Sequence, residues 1–156
     1  MYAVRRWIMN TNQSYKLFNK KILSETVNGE TLIVNLEVGH YFTLQGIGSF
    51  IWQLLLHGLS VEKISALIVN QGNCDTRRVA SDIDAFIAEL VQEKLIRPCA
   101  QPANAFIEQI DESVLGGFSP DGSYMKPAFQ KFTDMEALLL ADPIHEFTDQ
   151  TIEPVQ

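Results

Sequence analysis

Residues 31–56, TLIVNLEVGHYFTLQGIGSFIWQLLL, pass from one strand through a glycine turn into a second strand and then into an apolar helix. Leu32, Val34 and Leu36 alternate with Ile33, Asn35 and Glu37, the period of two that a strand with one buried face requires. Phe42 and Leu44 repeat that spacing after Gly39. A three-residue loop, Glu37-Val38-Gly39, closed by a left-handed glycine, is expected to set Leu36 against His40, Val34 against Phe42 and Leu32 against Leu44. Those apolar side chains then share one face and Tyr41 and Thr43 the other. The outer backbone of residues 40–44 is left unpaired unless a further strand arrives.

Upstream, Lys21 to Val27 reads as a strand, and Asn28-Gly29 is a strong two-residue hairpin signal because both residues tolerate positive φ. Val27 then opposes Glu30 and Leu23 opposes Val34, giving a three-stranded antiparallel sheet with Leu23, Val34 and Phe42 in one row. The head, residues 1–21, has no clean period, but Tyr2, Val4, Trp7 and Ile8 are too apolar for a free tail. It is expected to add a strand or cover an apolar face.

Downstream, Ile47, Phe50, Ile51, Leu54 and Leu55 recur at helical spacing until Gly58, predicting a helix over 47–57. Ser60 caps a second, short helix whose stripe is Val61, Ile64, Leu67 and Ile68, ending at Gly72. Asp75 opens a longer third helix carrying Val79, Ile83, Phe86, Ile87, Leu90 and Val91, and Pro98 prevents much continuation. The expected class is α+β and winged-helix-like: three strands, three helices and an extended C-terminal tail. The expected divisions are a basic arm at 1–21, a domain at 22–98, a linker at 99–123 rich in proline and glycine, and an apolar, acidic tail at 124–156.

Charge is distributed along the chain in a way that its total of -7 conceals. The head holds Arg5, Arg6, Lys16, Lys20 and Lys21 without an acid, whereas residues after 96 hold ten acids against Arg97, Lys126 and Lys131. Opposite signs at the two ends favour attraction between them or to a partner. The N-terminal stretch lacks the apolar run of a secretory signal and no stretch approaches the roughly 20 apolar residues of a membrane span, so a cytoplasmic location is the expectation. With 46% apolar residues a real core is available.

Catalytic constellations find little support. His40, His57 and His145 are far apart, Cys74 and Cys99 lie outside any ligand spacing, and Gly46-Ile-Gly48 has no lysine. The expectation is no enzyme, no metal and no cofactor. A winged-helix DNA-binding regulator is the alternative, with Asp75 to Leu95 as its recognition helix. Asp75, Asp82, Asp84, Glu89 and Glu93 outnumber Arg77, Arg78 and Lys94 there, and phosphate contact demands the reverse. Nucleic acid is therefore the weaker partner.

Residues 24–96 resemble the PqqD-like proteins, or RiPP recognition elements. The resemblance rests on Leu32 to Leu36, on Gly39-His-Tyr-Phe-Thr-Leu44, on Ile51-Trp52, on Gly58-Leu-Ser60 through Ile64, and on Asp82-Ile83 through Leu95-Ile96. It implies a non-catalytic chaperone that binds the leader of a ribosomally made precursor peptide and presents it to a modifying enzyme. An edge strand at 40–44 suits that role, because its main chain offers pairing to an extended peptide. The expected peptide site comprises His40, Tyr41, Phe42, Thr43 and Leu44 on the strand. Tyr41, Thr43, Arg77, Arg78, Ser81 and Asp82 form the rim, with Phe42, Val79 and Ile83 beneath.

The tail carries Tyr124-Met-Lys-Pro127 followed by Phe129 and Phe132. This looks like the YxxP segment of lasso-peptide leaders, which implies a recognition domain fused to its own substrate-like tail. The tail is expected to occupy the peptide groove, in its own chain or in exchange with a second copy to give a homodimer.

Overall fold

The computed structural model describes residues 13–72, 75–100 and 124–134. Among them the element order is β1 (Ser14–Leu17), β2 (Ile22–Val27), β3 (Glu30–Asn35), β4 (His40–Gln45), α1 (Ile47–Leu56), α2 (Val61–Gly72), α3 (Thr76–Gln92), β5 (Ile96–Cys99) and β6 (Phe129–Phe132). The expected three-stranded sheet is corrected in two ways. One sheet has four strands in the order β2-β3-β4-β6, and a separate two-stranded sheet joins β1 to β5.

The first hairpin follows from its turn. Asn28 and Gly29 sit at φ 53° and 82°, the doubly positive geometry of a tight antiparallel turn, and Val27 faces Glu30 while Leu23 faces Val34. In the second hairpin the expected register is wrong by one residue. Asn35 faces His40, Val34 faces Tyr41, Ile33 faces Phe42 and Leu32 faces Thr43, so the loop has four residues, Leu36 to Gly39. The cause lies in Asn35, whose side-chain oxygen accepts from the Glu37 amide at 2.9 Å while its backbone oxygen accepts from the Gly39 amide at 2.9 Å.

A slip of one exchanges the faces of β3. Ile33 is completely buried, with Thr31 and Asn35 beside it, whereas Leu32 is 45% exposed and Val34 and Leu36 also lie on the outer face. Buried hydroxyls need partners, and they have them: Thr31 shares a 2.6 Å hydrogen bond with Ser49 and one of 2.7 Å with Thr26. The row expected to hold Leu23, Val34 and Phe42 therefore holds Leu23, Val34 and Tyr41, and Phe42 points inward with Leu44.

Helices close the inner face. Phe50, Ile51, Trp52, Leu54 and Leu55 of α1, Ile64 and Ile68 of α2, and Val79, Ile83, Phe86, Ile87 and Leu90 of α3 form one core with Ile33, Phe42 and Leu44. Full burial of each such aliphatic or aromatic side chain contributes about 1.5–3 kcal/mol. The Trp52 indole is buried, and its N–H donates to the Ser24 hydroxyl at 3.1 Å. The head does add a strand: β1 pairs antiparallel with β5, and Tyr15 lies in the core at 4% exposure. Burial first, and then the Asp84 carboxylate, push the Tyr15 hydroxyl up to about 12.

Candidate functional site

The outer edge of β4 is the one the sequence leaves open, and residues 124–132 of the same chain run along it and past α3. Tyr41 faces Phe132, Phe42 faces Lys131, Thr43 faces Gln130 and Leu44 faces Phe129, an antiparallel ladder that converts β4 from an edge into an interior strand. Alternation then sorts the side chains. Phe132 lies on the outer face, stacked on Tyr41 with ring centroids 4.8 Å apart, and Phe129 turns inward. There it meets Phe42 edge to face at 5.4 Å and Phe86 of α3 at 6.3 Å.

Before the strand, the segment crosses α3. The Tyr124 hydroxyl donates to Asp82 Oδ2 at 2.8 Å, and the Arg78 guanidinium carbon lies 5.6 Å from the centre of the Tyr124 ring. Arg78 also approaches Asp82, at 3.9 Å. Pro127 is buried. Ala128 then passes so close to α1 that a Cβ on Gly48 would fall 2.8 Å from the Ala128 carbonyl oxygen, so the path of the segment requires a glycine there. Lys131, on the inward side at the edge, reaches Glu93 at the C-terminal end of α3 with Nζ 2.9 Å from Oε1. The Tyr41 hydroxyl is raised above the ordinary phenol range, first by desolvation and then by Asp134, which accepts its hydrogen bond.

Among the expected site residues, Tyr41, Phe42, Thr43, Leu44, Arg78 and Asp82 come together around this segment. Val79 and Ile83 are completely buried in the core, whereas Arg77 and Ser81 face solvent on α3. His40 pairs with Asn35 just beyond the end of the ladder with β6. Three contributors outside the tail were missing from the expectation, Gly48, Phe86 and Glu93, and within it Lys131 and Asp134. Phe86 stood in the core stripe of α3 and Glu93 among its charges, and neither periodicity nor charge reveals that a distant segment touches them. Alongside residues 125–130 a cleft of about 430 Å³ remains, lined also by Thr43, Gln45, Gly46 and Ile47.

Among the described residues no group of three His, Cys, Asp or Glu side chains could hold a metal ion, and no helix is long and apolar enough to cross a membrane. What the arrangement offers is main-chain pairing on β4, an aromatic pocket between β4 and α3, and a charged rim.

Comparisons with known proteins bear on the same region. Residues 30–96 match the family model described as coenzyme PQQ synthesis protein D (PqqD). A search of curated proteins finds no match. Among solved structures, TbiB1 in complex with the TbiA(beta) leader peptide is similar at 29% sequence identity and a TM-score of 0.51, over 55% of this chain and 99% of that one. The stretch from β3 through α3 is thus PqqD-like in sequence, and the fold is similar to that of a protein whose solved structure holds a leader peptide.

Proposed function

We propose that this chain is a non-catalytic peptide chaperone of RiPP biosynthesis, which captures the leader segment of a ribosomally made precursor by strand addition and presents it to a modifying enzyme. One observation carries the reading: an extended segment lies antiparallel along β4 with its inward aromatic between β4 and α3. Strand addition of this kind draws affinity from main-chain hydrogen bonds and specificity from pockets for alternate side chains. The similarity to TbiB1, solved with a leader peptide, supports assigning a leader as the ligand.

The proposed contacts are main-chain pairing from residues 41–44, an aromatic anchor against Phe42 and Phe86, and a rim interaction at Arg78 and Asp82. Titration of labelled candidate leader peptides tests the reading. Thr43→Pro removes a backbone donor and restricts the strand, so leader affinity is expected to fall at least tenfold while the fold is retained. Unchanged affinity in a folded Thr43→Pro variant places the peptide elsewhere. A tight, sequence-selective complex with duplex DNA at physiological salt replaces this reading with that of an acidic regulator.

A further inference from the structure

We propose that residues 124–132 act as a tethered competitor for the peptide edge, so that an incoming leader binds only by displacing a segment of the same chain. The inference rests on the leader-binding reading above and adds regulation to it. Three surfaces offered to an extended peptide are already in use: the β4 ladder by β6, the aromatic pocket by Phe129, and the Asp82 rim by Tyr124. Two peptides cannot pair with one edge.

The segment is also built to leave. It lies outside residues 30–96, the part that matches the PqqD family. None of the four residues of β6 is fully buried, and the buried core cluster is complete without any of them. Its anchors are a rim tyrosine, one buried proline, Pro127, partly buried phenylalanines and an ion pair whose Lys131 side chain is 35% exposed. The open cleft beside residues 125–130 gives an arriving peptide a place to begin displacement.

Tethering sets the strength of the gate. A segment held in the same chain competes at an effective concentration up to about millimolar, whatever the protein concentration. If the docked form outweighs the open form by about tenfold to a hundredfold, apparent leader affinity falls by that factor. Only a leader that binds the edge more tightly than the segment does gains access, which makes the tail a threshold on substrate choice.

The test uses the full chain and a labelled synthetic peptide of residues 124–134. Phe129→Ser with Phe132→Ser removes the aromatic anchors of the segment while keeping every residue of β4 and α3. The double variant is expected to bind the peptide at least tenfold more tightly than the unaltered chain, and the amides of Tyr41 and Thr43, which face β6, to exchange faster. Tyr124→Phe, which removes only the hydroxyl donated to Asp82, is a gentler second variant and is expected to gain severalfold.

Equal peptide affinity in the unaltered and double-variant chains overturns the gate and leaves leader capture standing. Failure of the peptide to bind a folded double variant with rapidly exchanging edge amides removes the edge as a peptide site and overturns both. Apparent affinity of the unaltered chain that changes with its own concentration means exchange between copies and overturns docking in cis.

Discussion

Two short strands are added to this fold from the two ends of the chain, and they are held in opposite ways. β1, from the head, pairs with β5 over four residues, and β6, from the tail, pairs with β4 over four residues. Their ladders are equivalent. β1, however, inserts Ser14 and Tyr15 at 1% and 4% exposure, the Ser14 hydroxyl donates to the Gly58 carbonyl at 3.0 Å, and the Val61 amide donates to the Gln13 carbonyl at 3.2 Å. The head strand thus ties α1, α2 and β5 into one core. β6 touches that core through Phe129 and otherwise lies on its surface. A strand becomes permanent or exchangeable through what its side chains bury, since backbone pairing contributes comparably to both.

The largest expected effect falls on the head. Tyr15→Ala opens a cavity beside α3 and is expected to cost about 3–5 kcal/mol of global stability, the range for deleting a buried aromatic, as read by chemical denaturation. Phe129→Ala at the corresponding place on β6 is expected to cost about 1 kcal/mol or less globally. If the two losses are alike, the contrast between the strands fails.

Gly48→Ala sharpens the comparison because it sets helix propensity against the docked tail. Alanine within α1 is expected to favour the helix by up to about 1 kcal/mol, yet its Cβ would sit 2.8 Å from the Ala128 oxygen. Global stability should hold or rise while protection of the Tyr41 and Thr43 amides drops severalfold or more. Retained protection would mean that the segment adjusts around the methyl group. Smaller still is Lys131→Glu, which reverses the pairing with Glu93 and should weaken docking by about 0.2–1 kcal/mol, less at high salt. Glu93→Lys in the same chain should restore protection, and failure to do so would assign Lys131 a different role.

The smallest effect is a pH dependence of global stability set by Asp84 of α3, on the side of the core that holds the head strand. Burial raises the Asp84 carboxyl above its ordinary value of 3.8. Through the window from that value up to the raised one, the folded state holds a proton that the unfolded chain releases. Stability contributed by Asp84 is therefore fully present below the unfolded value and is lost as pH rises through the folded one. Asp84→Asn should flatten urea-unfolding stability across that window and raise it at neutral pH. It should not alter protection along β4, because Asp84 faces Tyr15 and not the tail.

Local chemistry determined much of this protein from its sequence alone. Asn28-Gly29 dictated the first hairpin because few residue pairs accept two positive φ angles, and the 3–4 spacings in residues 47–57, 61–72 and 75–95 marked three helices close to where they stand. The face of β3 was not legible in its pattern, because Leu32, Ile33 and Val34 are consecutive apolar residues that satisfy either parity. The side chain of Asn35 decided it by lengthening the turn. The edge at 40–44 could likewise be read as unpaired, and Tyr124 to Phe132 as too apolar to stand free. Their union could not be derived, nor could the parts taken by Gly48, Phe86 and Glu93, which lie far from the tail in the chain. Periodicity reports which side of an element is buried; which distant segment covers it depends on where the folded chain brings an unpaired backbone and an apolar strand together.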